Sequence, residues 1–180
     1  RAAAPDRRVA VVSMGACVGD GTSLAAFEQA LFSPATDHRV ASELTLAATG
    51  LRFPPRDLSV ALAQQTWLLG AASEALRGVA LPAPERIGVY VGMGCDPDVA
   101  RYGARWRSAQ YADALPVEQP AWRKQFAKAF FPALEASGVL GTLPNLPANR
   151  LNFQFDLRGP SLTFSAEQLS GIRALQAALR

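Results

Sequence analysis

The chain has 180 residues, the usual size of one domain. Hydrophobic residues make up 49% and charged residues 18%, so the chain is able to bury a core and is not expected to be disordered. A net charge of +3 is too small and too scattered for nucleic acid to be the main partner. No run approaches the roughly 20 apolar residues of a membrane helix, and two cysteines without a secretory signal give no disulfide framework. We therefore expect a cytoplasmic protein.

Hydrophobic spacing in the first half predicts a strand followed by two helices. A β-branched apolar run at 8–14 predicts a buried strand before a glycine-rich stretch. Thr22 or Ser23 is then placed to cap an amphipathic helix. After a proline-rich loop, the pattern predicts one long helix over about 57–77, ended by Gly78.

The middle of the chain predicts a second strand and further helices. Residues 86–92 form an apolar run followed by a glycine turn, which is typical of a buried strand. Asp96 and Pro97 are expected to start a helix that runs to about Arg107. Aromatic residues at helical spacing over 122–130 predict another helix, closing near Gly138.

The last quarter predicts two short strands and a final helix. Apolar residues alternate with polar ones over 151–155, which predicts a half-exposed strand, and 161–165 predicts a second one. From Glu167 the apolar residues trace one helical face: Leu169, Ile172, Leu175 and Leu179. Strands that alternate with helices indicate an α/β fold.

A search for reactive groups finds no complete active site. His38 lies in a polar loop without a second His or Cys beside it, so we interpret it as a surface residue and predict no metal site. The turn at 92–96 lacks the third glycine of a dinucleotide fingerprint. Cys95 is either a reactive thiol near a helix N-terminus or, the interpretation we favour, a small packed residue.

Two runs near the C-terminal end carry a family resemblance. Residues 144–151 are PNLPANRL and residues 155–163 are FDLRGPSLT. These two sequence motifs resemble those of the β-ketoacyl synthase family, specifically the domains of polyketide and polyunsaturated-fatty-acid synthases. Three upstream segments also correspond to the family: 9–15, 54–76 and 87–92. The resemblance implies a thiolase-like layered αβαβα fold, of which this chain covers most of the N-terminal half.

The same resemblance divides the chain. Residues 1–8 are interpreted as a linker remnant, and residues 9–180 as the N-terminal portion of a ketosynthase-like domain. The first residue is not Met, and the last helical pattern has no Gly or Pro stop signal, so we expect a piece of a longer protein.

One departure from the family decides the functional expectation. When the runs are matched through Gly159 and Pro160, the nucleophilic Cys of the family falls on Gln168. A carboxamide does not form a thioester, so acyl transfer onto this residue is excluded. The two His residues and the Lys of the family would lie beyond Arg180, so the chain is not a competent condensing enzyme by itself.

In having glutamine at this position, the chain is similar to the chain-length factor. That protein resembles a ketosynthase but lacks the Cys, and it pairs with an active ketosynthase. The resemblance therefore implies a heterodimer or pseudo-dimer that shapes the acyl pocket and works on acyl-carrier protein. It implies no metal and no cofactor of the chain's own, because the phosphopantetheine belongs to the carrier. Nucleic acid and membranes are not expected partners.

Two alternatives stay open. In the first, the chain resembles the Gln-type ketosynthases that decarboxylate malonyl-carrier protein, where the Gln168 amide would stabilise an enolate. Those proteins keep a Ser-rich flank after the Gln, whereas Leu169 follows here. In the second, the chain is an interaction scaffold without an acyl pocket.

The other candidate site residues lie close to Gln168 in the sequence. Ser165, Glu167 and Leu169 would form the elbow region with it. Arg150 and Arg158 would either meet a carrier-protein phosphate or, as we favour, form structural ion pairs, for example with Asp156.

Overall fold

The computed structural model describes residues 8–19, 23–33, 43–46, 49–114, 120–130 and 135–180. Helices and strands within these ranges are α1 Leu24–Phe32, α2 Pro55–Ser59, α3 Ala63–Ala75, β1 Val89–Gly92, α4 Val99–Asp113, α5 Pro120–Phe130, α6 Ala136–Thr142, α7 Leu146–Phe155, β2 Ser161–Phe164 and α8 Ser170–Ala178. Short 3₁₀ helices precede β1 at Pro84–Arg86 and α8 at Glu167–Leu169. The predicted linker residues before Arg8 and the predicted surface residue His38 lie outside the described residues.

β1 and β2 form a parallel pair, as expected of an α/β protein. Val89 lies opposite Ser161, and Gly92 lies opposite Phe164. Parallel strands need a long crossover between them, which here includes α4 to α7. Helices α7 and α8 both pack against both strands. The described residues therefore confirm a helix-rich α/β protein with a small parallel sheet, whereas the layered αβαβα plan stays a prediction.

The core joins the sheet to α7, α3 and α2. Its members are apolar side chains that are buried together: Leu58, Leu69, Val89, Val91, Ala148, Leu151 and Leu157. Val89 and Val91 are two residues apart on β1, so they share one face of the sheet, as the pleat requires. This cluster fixes β1, and the parallel pairing with β1 then positions β2 and the residues that follow it.

The predicted strand over 151–155 is wrong, because these residues belong to α7. The spacing from Ala148 to Leu151 and Phe155 is three and then four residues, which places all three on one face against the core. Phe153, whose alternation suggested a strand, is 55% exposed. Asp156 ends the helix in the left-handed conformation, with φ 53°, and its N–H donates to the Asn152 carbonyl.

The predicted long helix over 57–77 is also wrong, because the chain forms α2 and α3 with a break between them. The Leu62 N–H donates to the Gly141 carbonyl at 3.0 Å. A Cβ atom on Gly141 would lie 2.6 Å from the Ala61 Cα, so α6 approaches the break closely. A tertiary contact therefore replaces a helical hydrogen bond. Gly78 follows α3 with φ +74°, in line with the predicted stop.

The apolar run at 8–14 forms no strand within the described part of the chain, so the predicted strand is wrong there. Its larger apolar side chains are exposed, namely Val9, Val11, Val12 and Met14. A strand is held by hydrogen bonds to a neighbour, and a β-branched run does not supply that neighbour.

Several other predictions are confirmed, with shifted bounds. Ser23 caps α1, its hydroxyl accepting the Ala26 N–H at 3.2 Å. Strands form inside 86–92 and 161–165, and α5 covers the aromatic pattern. Helix α4 begins at Val99 and continues to Asp113, past the predicted end, while Gly138 lies inside α6. No helix in the described ranges is long and apolar enough to cross a membrane.

Helix α8 is amphipathic as predicted, but its apolar face is not the packed one. Ser170 and Ala174 are the buried residues of α8, which packs against β1 and β2. The predicted apolar stripe is exposed, with 51% of Leu169, 55% of Ile172, 59% of Leu175 and 42% of Leu179 accessible. Small residues allow α8 to approach the sheet closely, which leaves the large apolar side chains on the outside.

Candidate functional site

The segment that joins β2 to α8 is a sharp turn at the carboxyl end of the sheet. β2 ends at Phe164, and α8 begins at Ser170, with one 3₁₀ turn between them. Within that turn, Glu167 has a φ of 49°, in the left-handed region. A non-glycine residue there costs roughly 1–2 kcal/mol. The geometry is therefore a strained strand–turn–helix elbow, with Gln168 directly after the strained residue.

Ser170 holds this elbow in place. The Ala166 N–H donates to the Ser170 Oγ at 2.9 Å, and the Ser170 hydroxyl donates to the Glu167 carbonyl at 2.7 Å. Ser170 is only 4% exposed, so both hydrogen bonds are sheltered from water. Sequence analysis missed this role, because the Ser170 side chain bonds to the turn before α8 and does not cap the helix itself.

The glycine turn after β1 lies beside the elbow. The Met93 N–H donates to the Phe164 carbonyl at 2.9 Å, which continues the ladder to the end of both strands. A Cβ atom on Gly92 would overlap the backbone of Ser170 and Gly171, so β1 touches the start of α8 directly. The carboxyl ends of parallel strands meet at one edge, the usual place for ligand sites in α/β folds.

The four predicted elbow residues are all exposed at this edge: Ser165, Glu167, Gln168 and Leu169. The Gln168 side chain offers an amide donor and a carbonyl acceptor, which are able to bind a polar ligand. It has no nucleophilic atom for a covalent acyl intermediate. Cys95, in the neighbouring turn, is an exposed free thiol and not the packed residue we favoured.

Arg158 lies at the opposite end of β2 from Gln168. It forms exposed ion pairs with Glu85 and Asp156, each at 3.3 Å. The ion pair predicted with Asp156 is thus confirmed for Arg158. Since the elbow and Arg158 flank the two ends of the strand, the structure does not bring them together.

Arg150 is placed quite differently. It is 8% exposed, in the middle of α7, and its guanidinium carbon lies 5.2 Å from the centroid of the Phe53 ring. Asp156 pairs with Arg52 and Arg158 and not with Arg150, so the ion pair suggested with Asp156 is wrong for this residue. Burial lowers the pKa of Arg150, and the charge of Asp57 opposes the shift.

The cavity beside the α2–α3 break lies apart from the elbow. This cavity has a volume of about 650 Å³, and its lining includes the α2–α3 break, Tyr102 and α6. Burial raises the pKa of Tyr102, and the negative charge of Asp98 adds to the shift. Across the described ranges, no group of three or more His, Cys, Asp or Glu residues is arranged to hold a metal ion.

Comparison with known families identifies the domain. The model of the β-ketoacyl synthase N-terminal domain matches residues 39–180, which include both strands, the glycine turn and the elbow. Comparison of the chain with curated proteins and with solved structures gives no match.

Proposed function

Because the chain belongs to the β-ketoacyl synthase family, we propose that it is a non-catalytic chain-length-factor partner of an active ketosynthase. The pair would make a polyketide or a polyunsaturated fatty acid on acyl-carrier protein. The observation that carries the proposal is Gln168, which stands in the elbow where the resemblance places the nucleophilic Cys of the family.

The elbow of this chain is a strained, hydrogen-bonded turn although it carries no nucleophile. Glu167 is held at positive φ, and Ser170 fixes the turn with two hydrogen bonds. A strained turn persists only where the surrounding structure maintains it. In our proposal the elbow serves as a structural part of the pocket wall, and the acyl chain is bound covalently only by the partner.

Pairing is supported by the surface next to the elbow. The exposed apolar stripe of α8 begins at Leu169, one residue after Gln168, and continues to Leu179. Exposed apolar patches of this kind are typical of protein interaction surfaces. Since the chain is expected to be the N-terminal portion of its domain, the remainder of that domain is also a candidate to cover this stripe, and in our proposal the ketosynthase contacts the same side. The thioester would arrive on the phosphopantetheine of the carrier.

A second candidate is decarboxylation of malonyl-carrier protein, favoured by the exposed carboxamide of Gln168 beside the start of α8. In that reaction the malonyl thioester loses carbon dioxide and leaves an acetyl thioester after protonation of the enolate. An amide N–H and the positive end of a helix dipole would both stabilise the enolate oxygen.

The experiment that separates the two is intact-mass analysis of the chain and of the carrier after incubation with malonyl-carrier protein. The proposal predicts an unmodified chain and an intact malonyl group. Conversion to acetyl-carrier protein that is abolished by Gln168→Ala, but retained by Gln176→Ala, would favour the decarboxylase. Gln176 is a suitable control because it is an exposed glutamine on the same helix.

A further inference from the structure

The positive charge of the chain is concentrated in α4, α5 and the segment that joins them. Residues 99–130 contain six basic and two acidic residues, so their net charge of +4 exceeds the +3 of the whole chain. Both lysines of the chain, Lys124 and Lys128, lie in α5. The charge is therefore less scattered than the whole-chain sum suggested, because the rest of the chain carries a net charge of only −1.

One face of α5 is exposed and carries both lysines. Among the described helices and strands, α5 packs mainly against α4. Its exposed residues follow the spacing of a single helical face: Ala121, Lys124, Gln125, Lys128 and Ala129. We call these five residues the basic face of α5. The half-buried Phe126 lies outside this face.

The lysines of the basic face have no acidic partner among the described residues, where the ion pairs join other side chains. The basic face itself contains no Asp or Glu. Lys124 and Lys128 are four residues apart, which is a rise of about 6 Å along the helix. Like charges at this spacing repel each other. The fold therefore gains no stability from the pair, and an acidic ligand would relieve the repulsion.

The other residues of the basic face leave room for a close approach. Ala121 and Ala129 border the two lysines at either end of the face. Two helices pack with their axes about 8–10 Å apart, and small side chains at the contact allow the shorter distance. Carboxylates four residues apart on a facing helix recur at the same rise of about 6 Å as the lysines. The basic face therefore matches an acidic helix in both spacing and shape.

Two other anionic partners fit this face less well. A helix that binds at a membrane surface presents large apolar side chains such as Trp, Phe or Leu, and the basic face has none. A surface for single-stranded nucleic acid combines cations with exposed aromatic rings on which the bases stack, and the basic face has no aromatic residue. The composition of the face therefore favours a protein partner.

We propose that the basic face of α5 is a docking site for an acidic helix of a partner protein. Two carboxylates one turn apart on that helix would form ion pairs with Lys124 and Lys128, and the helix itself would lie against Ala121 and Ala129. The side-chain amide of Gln125, which follows Lys124, would donate a hydrogen bond to the same helix. This site does not involve Gln168, so the inference does not depend on the proposed function.

The probe for this site is a synthetic helical peptide, held by a hydrocarbon staple, with glutamates four residues apart along one face. Its affinity for the intact chain is measured by fluorescence anisotropy, beside that of a stapled peptide in which every Glu is replaced by Gln. We expect saturable binding of the acidic peptide that weakens as the salt concentration rises. The neutral peptide should bind at least tenfold more weakly. Equal affinities of the two peptides would overturn the proposal.

Three further probes test the kind of partner. Vesicles that contain phosphatidylglycerol represent a membrane, and oligothymidylate represents a nucleic acid. A linear peptide of the same charge, whose helix is broken by proline, tests the requirement for helical shape. We expect all three to bind more weakly than the stapled acidic peptide at equal ionic strength. Equal or tighter binding of any of them would overturn the proposal.

Removal of the two charges locates the site. The double variant Lys124→Gln with Lys128→Gln changes two exposed side chains, so the fold is preserved, and we expect the acidic peptide to bind at least tenfold more weakly. The control, Arg86→Gln with Arg173→Gln, removes the same charge at exposed positions outside α5 and should leave the affinity within twofold. Unchanged affinity in the lysine variant, or equal losses in both variants, would overturn the proposal.

The scarcity of lysine provides a second, independent measurement. Acetic anhydride acetylates exposed amines, and mass spectrometry of proteolytic fragments reports on each of the two lysines separately. Bound acidic peptide should slow the acetylation of both Lys124 and Lys128 at least threefold, whereas the α-amino group of the chain should react at an unchanged rate. Lysines that stay unprotected in the complex would show that the peptide binds elsewhere and would contradict the proposal.

Discussion

Gly92 and Gly171 approach so closely that no side chain fits between the end of β1 and the start of α8. A Cβ atom on Gly92 would overlap the backbone nitrogen of Gly171. We predict that Gly92→Ala lowers the free energy of unfolding by about 2–3 kcal/mol, because overpacked backbone must move apart. Chemical denaturation monitored by circular dichroism measures the effect.

The matched control for this substitution is Gly94→Ala in the same turn. A Cβ atom there meets nothing within 4 Å, and Gly94 does not have a positive φ. We expect a change below about 0.5 kcal/mol. Equal effects at the two glycines would contradict the close approach of β1 and α8.

Glu74 joins the N-terminal segment to α3 through its carboxylate. The two oxygens accept the N–H of Ala16 at 2.9 Å and that of Leu24 at 2.8 Å. These hydrogen bonds lower the pKa of Glu74, with a further contribution from the charge of Arg77. We predict that Glu74→Gln is less stable at neutral pH, because an amide has one acceptor oxygen in place of two.

The sign of the pH dependence follows from the lowered pKa. The contribution of Glu74 is complete above the reference pKa of 4.5 and is lost as the pH falls through the folded value. The stability difference between wild type and Glu74→Gln should therefore shrink in acid. Denaturation curves between pH 3 and 7, with the exposed Glu28→Gln as a charge-matched control, measure it. A stability difference that does not change with pH would contradict the role of the Glu74 carboxylate in these two hydrogen bonds.

Strain at the elbow is testable with glycine. Glu167 has a φ of 49°, which glycine adopts without a steric penalty. We predict that Glu167→Gly stabilises the domain by up to about 1 kcal/mol, whereas Gln176→Gly inside α8 destabilises it by a similar amount. Thermal denaturation of both variants is the measurement. Destabilisation by glycine at both positions would show that the elbow is not strained.

The sequence was sufficient to predict those elements whose structure depends on a local pattern of residues. The cap at Ser23, the strand inside 161–165 and the amphipathic pattern of α8 all depend on neighbouring residues and were predicted correctly. The α7 helix was missed because Phe153 and Phe155 also fit a two-residue alternation. The three- and four-residue spacing from Ala148 through Leu151 was the better signal.

Contacts between distant segments explain the remaining differences. The break between α2 and α3 depends on the Gly141 carbonyl, which lies far away in the sequence. The burial of Arg150 next to Phe53 likewise brings together residues about a hundred positions apart, so the charge pattern alone suggested an ion pair. The position of Gln168 after a strand was predictable, because strand and turn signals are local. The two hydrogen bonds by which Ser170 holds the elbow were not predictable from the sequence.

The most direct test of the central claim reconstitutes the chain with its partner ketosynthase and acyl-carrier protein and measures product length by mass spectrometry. Our account predicts elongated products only from the pair, with Gln168→Ala still active. The substitution Leu175→Glu in the exposed stripe of α8 should prevent both pairing and elongation. Products of unchanged length and yield from the ketosynthase without this chain would contradict the account.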